Sequence, residues 1–167
     1  MKRRIYALFA AAAVLASCSP SNEYVIYGTV TNPDLEGAQV FLVPLENAVK
    51  ETIDSVYIKN QMFEFRGTEE KMADIRIERF KRLGNENLLV ITEPGETYVT
   101  IGPVSSSRGT PQNDSLQVWK NLTKQYYQKQ LPRETYIERT RQMASDLGIE
   151  STLGAFLDKR FPETPSK

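Results

Sequence analysis

The chain of 167 residues contains no histidine and a single cysteine. The first absence removes the commonest general base, the commonest metal ligand and the one side chain that titrates unperturbed near neutrality. The second leaves Cys18 without a partner, so no intramolecular disulfide forms and no Cys-x-x-Cys redox motif exists. Charge of one sign is not in excess either: 21 basic residues balance 21 acidic ones. Such a balance lacks the electrostatic footprint of a nucleic-acid binder, and no nucleic-acid partner is expected. Nucleophile motifs are also missing. There is no Ser-x-x-Lys, no Gly-x-Ser-x-Gly and no imidazole to activate a hydroxyl. The expectation is a protein that is not an enzyme, with no catalytic residue, cofactor or metal.

Long apolar runs are scarce, and the one that stands out lies at the start. Lys2, Arg3 and Arg4 precede an apolar stretch from Ile5 to Ala16, and Leu15-Ala16-Ser17-Cys18 closes it. A cationic start, a short apolar core and small residues at its end describe a signal peptide, too short for a membrane-spanning helix. The closing four residues are similar to the lipobox of bacterial lipoproteins, in which cysteine becomes the lipidated first residue of the mature chain. The expected organisation is therefore a signal peptide over residues 1–17 and a short tether over 18–23. Cleavage before Cys18 leaves 18 basic against 21 acidic residues, a net charge of −3. A single acyl chain binds a bilayer only reversibly, and stable anchoring takes at least two signals. The lipobox resemblance implies three chains, hence a permanent tether to the lipid bilayer through acylated Cys18. Ser19 in place of Asp after the cysteine implies, by the same resemblance, the outer membrane, facing the periplasm or the cell surface.

After the tether the pattern is that of strands. Tyr24 to Thr31 is β-branched and aromatic, Asn32-Pro33-Asp34 and Glu36-Gly37 supply turn chemistry, and Ala38 to Leu45 and Glu51 to Ile58 follow. Met62-Phe63-Glu64-Phe65-Arg66 alternates cleanly, and Ala73 to Phe80 repeats the device with Ile75 and Ile77 inward and Asp74, Arg76 and Glu78 outward. Leu88 to Thr92 is a more apolar strand. Pro94-Gly95 predicts a type II turn before Tyr98, Val99 and Ile101. Seven short strands without intervening helices predict a mainly β fold, an antiparallel sandwich or open barrel over residues 24–103.

Over residues 104–167 the period changes. Ser105 to Gly109 has loop composition, and Thr110-Pro111 reads as an N-cap followed by proline at the first helical position. Leu116, Trp119, Leu122 and Tyr126 recur at helical spacing, a face expected to dock on the sandwich. Leu131-Pro132 interrupts it. Tyr136, Ile137, Thr140, Met143, Ala144 and Leu147 mark a second helix capped by Gly148, and Thr152 to Phe161 a short third.

From Tyr24 to about Leu122 the chain resembles domain-of-unknown-function family 4369 of Bacteroides-type lipoproteins. The residues that carry the resemblance are Ile26-Tyr27-Gly28-Thr29-Val30, Val40-Phe41-Leu42, Asp54-Ser55-Val56, Phe63-Glu64-Phe65-Arg66-Gly67, Glu93-Pro94-Gly95 and Gly109-Thr110-Pro111-Gln112-Asn113-Asp114. Members often carry a thioredoxin-like domain after the helices. The resemblance thus implies a fold and an envelope location, and as an alternative role an accessory subunit of a thioredoxin-like redox or peptide-processing system. Without a Cys-x-x-Cys, thiol-disulfide exchange itself does not carry over. The primary expectation is a binding module for an envelope protein or glycan.

Four sets of side chains have the composition of candidate sites. Arg76, Arg79, Lys81 and Arg82 form the densest basic stretch, a candidate patch for an anionic partner, although charges at a strand end also discourage edge pairing. Ser55 and Ser115 each follow Asp and precede an apolar residue, the acceptor pattern of Bacteroides-type O-glycosylation. Asn32-x-Asp34-x-Glu36-Gly37 opens like a calcium loop, but Val43 stands where the bidentate Glu is needed, which favours a plain turn. The carboxylates of Glu69 and Glu70, or of Asp74 and Glu78, reach glycosidase separations only if the fold brings them together.

Overall fold

The computed structural model describes residues 22–77 and 88–162. Its eight strands are β1 (Tyr24–Val30), β2 (Gln39–Pro44), β3 (Asp54–Tyr57), β4 (Met62–Gly67), β5 (Met72–Ile77), β6 (Leu88–Ile91), β7 (Gly95–Ile101) and β8 (Ser106–Arg108). Three helices follow: α1 (Pro111–Tyr127), α2 (Arg133–Leu147) and α3 (Thr152–Arg160). The strands form two four-stranded sheets in the orders β4-β1-β7-β8 and β3-β2-β5-β6. The result is a sandwich with C-terminal helices, not a closed barrel.

Alternation places the core. Ile26 and Val30 of β1, Phe63 and Phe65 of β4, and Val99 and Ile101 of β7 face Val40 and Leu42, Ile75 and Ile77, and Leu88 and Val90 of the other sheet. Gly28 has a steric role in this packing: a Cβ there would lie 2.0 Å from the tip of the Phe63 ring on the neighbouring strand. Gly95 adopts φ +118° after Pro94, the left-handed backbone that the turn reading assigned to it.

Two details differ from the sequence reading. β1 and β7 run parallel, with Tyr27 beside Tyr98, whereas every other neighbouring pair is antiparallel. Alternation reports which face a residue takes, not which strand lies beside it or in which direction. The segment expected to be a loop contains β8, which pairs with β7 through Ser106, Ser107 and Arg108. Its polar residues have weak strand propensity, and α1 supplies the partners that hold them there.

A second core lies where the helices meet the sheet. Met72 of β5 and Ile91 of β6 pack with Leu116 and Trp119 of α1, Ala144 of α2, and Leu153 and Leu157 of α3. Strand β5 therefore buries residues on both faces. Asp74 points away from the sandwich core as the alternation requires, yet it is only 8% exposed. The expected docking face of α1 is divided: Leu116 and Trp119 reach the sheet, and Tyr126 stacks on Tyr136 of α2 with centroids 4.7 Å apart. Among the described residues, no helix is long and apolar enough to cross a membrane.

Candidate functional site

Three polar constellations and a cleft among the helices carry candidate chemistry. The first joins sandwich to helix at the start of α1. Thr110 precedes Pro111 in extended conformation, but its hydroxyl does not cap the helix. Glu93 does so from the end of β6: its carboxylate accepts the backbone N–H of Gln112 at 2.7 Å and of Asn113 at 3.1 Å. A carboxylate here meets both the unpaired amides and the positive end of the helix dipole. Asn113 is fully buried. Its amide oxygen accepts from Ile91 N at 3.0 Å, while its nitrogen donates to Ile91 O at 2.8 Å and to Thr110 Oγ1 at 2.8 Å. The side chain thereby acts as a strand partner for the edge of β6, where a free N–H and C=O would otherwise be buried unpaired.

The second constellation was missed by sequence reasoning, because its partners lie ten and thirteen residues from Ser107 on a different element. Lys120 Nζ donates to Ser107 Oγ at 2.9 Å, and Gln117 Oε1 accepts the Ser107 N–H at 3.0 Å. Burial pushes the Lys120 ammonium down to about 8 from its ordinary value, against the opposing field of Asp74. A hydroxyl beside a lysine of low pKa has the composition of an activated nucleophile. Ser107, however, is fully buried between β8 and α1, so its oxygen is sealed from any substrate in this conformation.

Several other acids are engaged in turns and in contacts between segments. Glu36 accepts from Asn60 N at 2.8 Å and Gln61 N at 2.9 Å, fixing a turn whose two residues have φ of +53° and +59°. The Asn32 side chain accepts from Asp34 N. Glu69 pairs with Lys71, and Glu70 accepts from Gln112 and Thr152. Among the described residues, no three His, Cys, Asp or Glu side chains converge to hold a metal.

Of the basic stretch, Arg76 is described and pairs with Asp74 at 3.0 Å; Arg79, Lys81 and Arg82 lie outside the described residues, as do Glu78 and Cys18. The structure does not bring Ser55 and Ser115 together. Ser55 sits exposed on β3, accepting from Gln39 Nε2 at 2.9 Å. Ser115 lies in α1 and donates to Pro111 O at 3.0 Å.

The cleft, of about 640 Å³, opens between α1, α2 and the end of α3. Trp119, Thr123, Tyr126 and Tyr127 form one face of α1, and Arg133, Tyr136, Ile137 and Arg141 one face of α2, each set at helical spacing. Arg160, Phe161 and Pro162 close the third side. Tyr136 stacks on Tyr126, meets Phe161 edge-on at 5.5 Å, and shares a hydrogen bond of 3.1 Å between its hydroxyl and Thr123. Arg141 donates to the carbonyls of Phe161 and Pro162, holding the end of α3 in place. Among the described residues no carboxylate lines the cleft. Sequence reasoning identified its rings as packing residues but not its arginines, although Arg133 and Arg141 are eight positions apart on the face that carries Tyr136.

The fold defines a two-sheet β-sandwich extended by a helical subdomain whose first helix is riveted to the sheet edge by Glu93 and Asn113. A family model described as "Domain of unknown function (DUF4369)" matches residues 24–116, more than half of the chain, and the protein belongs to that family. The match takes in both sheets and the Asn113 junction and ends at Leu116, before the first residue of the cleft. No curated protein and no solved structure matches the chain.

Proposed function

We propose that this is a lipid-anchored envelope protein whose sandwich and helices form a binding module without catalysis. The observation that carries the reading is the position of the only cysteine, which closes the apolar leader as Leu15-Ala16-Ser17-Cys18. Acylation there consumes the one thiol and leaves a mature chain with neither thiol nor imidazole. The structure adds support of a different kind. Glu93, Asn113 and Lys120 are engaged in fastening α1 to the sheets, and Ser107 is sealed. The partner is an envelope protein or glycan, and the domain sits close to the outer membrane because the tether spans only a few residues.

Radiolabelled fatty acid is expected to enter the wild-type chain in a bacterial host and not the Cys18→Ala variant, with the label fractionating to the outer membrane. Labelling of the variant, or recovery of unlabelled wild type as a secreted soluble protein, overturns the anchor. Turnover of peptide or glycan bonds by the purified protein overturns the assignment as a binding module.

A further inference from the structure

We infer that the 45–50 connection between β2 and β3 is a membrane-contact face, with its apolar side chains resting on the bilayer that holds Cys18. This deepens the lipid-anchored reading above, on which it rests, by naming the face turned to the bilayer. Position comes first. The tether joins the sandwich at Tyr24, which pairs with Gly67 at the end of β4 and with Gly95 at the start of β7. The Glu23 carbonyl accepts from Gly95 N at 3.0 Å, so the chain is held from that point on. Six peptide steps separate Cys18 from Tyr24. They span at most about 22 Å whatever path they take. This end of the sandwich therefore stays within reach of the acylated residue. β7 runs parallel to β1 for its 7 residues, so the turn between β7 and β8 lies about 20 Å further away.

The 45–50 connection lies at the near end. Leu45 N donates to Met72 O at the start of β5. β3 begins just after the connection, at Asp54, close to Tyr24: the tyrosine's phenol is pushed up to about 12 by burial and by the fields of Asp54 and Glu69. Leu45 is 40% exposed and Val49 52%. Their backbone is ordered all the same. The Thr52 hydroxyl accepts from Val49 N at 3.0 Å and faces the carbonyls of Asn47 and Val49 at 2.9 and 3.0 Å, and Asn47 turns the chain at φ +55°. A loop that satisfies these polar groups internally can meet an apolar phase without leaving them unpaired. Charge does not select the partner. Glu46 pairs with Lys159 and Glu69 with Lys71, and Lys50 stands beside Glu51. With local charges balanced, the loop offers apolar contact, and apolar side chains held outward on an ordered loop mark a contact surface. The tether makes the bilayer the apolar phase within reach.

Acylation consumes the chain's one thiol, so an introduced cysteine carries a fluorophore alone. Val104, 68% exposed in the turn between β7 and β8, is the control: an exposed valine at the opposite end. The lipoprotein is purified from a bacterial host fed radiolabelled fatty acid and reconstituted in phosphatidylcholine vesicles. It carries nitrobenzoxadiazole at Val49→Cys or at Val104→Cys. Lipids spin-labelled near the top of their acyl chains are expected to quench the fluorophore at Val49→Cys and not at Val104→Cys. Raised salt should leave that quenching unchanged, and Leu45→Asp in the same chain should lower it severalfold. Fatty-acid-labelled protein that floats with the vesicles yet shows no quenching at Val49→Cys, or equal quenching at both positions, overturns the inference and leaves the anchor standing. So does quenching that Leu45→Asp leaves unchanged or that salt removes. An emission change at Val49→Cys that vanishes on dilution into excess lipid gives the loop to a second copy of the chain and overturns it too. Protein that takes up no fatty acid overturns the anchor, and this inference with it.

Discussion

Lys120 gives the sharpest physical prediction. Its ammonium is pushed from 10.5 to about 8 by burial between α1 and β8, with Asp74 opposing the shift. In the unfolded chain the same lysine titrates near its ordinary value. Below pH 8 both states hold the proton, and the native state carries the full penalty of a partly buried charge. Between about 8 and 10.5 the native lysine loses its proton while the unfolded one keeps it, so the unfolded state binds more protons and stability rises with pH. The displacement corresponds to about 3 kcal/mol for a dry site, and to about 2 kcal/mol after allowance for its partial exposure. Tyr24 acts in the opposite sense: burial, with Asp54 and Glu69 adding to it, raises its phenol to about 12. Above pH 10 the unfolded tyrosine ionises and the native one does not, so stability falls again.

Urea unfolding followed by far-ultraviolet circular dichroism from pH 7 to 11 is therefore expected to show a rise from pH 8 and a turnover near pH 10. Lys120→Met should remove the rise. It also leaves the buried Ser107 hydroxyl without its donor, an effect of about 1–2 kcal/mol that masks the gain at neutral pH. The double variant Ser107→Ala/Lys120→Met removes both terms and is expected to be more stable than wild type at pH 7 by about 1–2 kcal/mol. A wild-type profile that is flat between pH 8 and 10, or one whose rise survives Lys120→Met, refutes the reasoning.

Asn113→Ala strips the edge of β6 of both its partners, and a loss of about 3 kcal/mol is expected from the urea midpoint, with Leu116 and Trp119 becoming less protected in hydrogen exchange. Gly28→Ala drives a methyl into the Phe63 ring and should destabilise by about 2–3 kcal/mol, and Phe63→Leu in the same chain should recover part of that loss. Intact-mass measurement of the protein from its native envelope should show hexose additions that disappear on Ser55→Ala; Ser115, back-bonded within α1, should contribute none.

Much of the sandwich was legible because alternation of apolar and polar residues directly encodes which face of a strand is buried. Phe63 and Phe65, and Ile75 and Ile77, read correctly for that reason. The Pro94-Gly95 turn, the helix start at Pro111 and the helix end at Gly148 read correctly too, since they act through local backbone chemistry, whereas the capping carboxylate of α1 comes from Glu93 and not from Thr110. β8 escaped notice because Ser106-Ser107-Arg108 has no strand signal of its own. It is a strand because β7 offers an edge and Gln117 and Lys120, ten and thirteen residues on, satisfy Ser107. Asp74 was placed on the correct face, but no local pattern announces that helices will cover that face.

The sequence by itself determined the apolar stretch that ends at the single cysteine, the absence of imidazole, the two-faced strands and the three helices. These are properties of composition and short-range periodicity, and they do not depend on which segments meet. Tertiary structure alone decided the parallel pairing of β1 with β7, the capping of α1 by Glu93 from another element, the burial of Lys120 against Ser107, and the gathering of Arg133, Arg141 and Arg160 around one set of rings. Each of those depends on contacts between residues far apart in the chain, and such contacts leave no trace in the spacing of either partner.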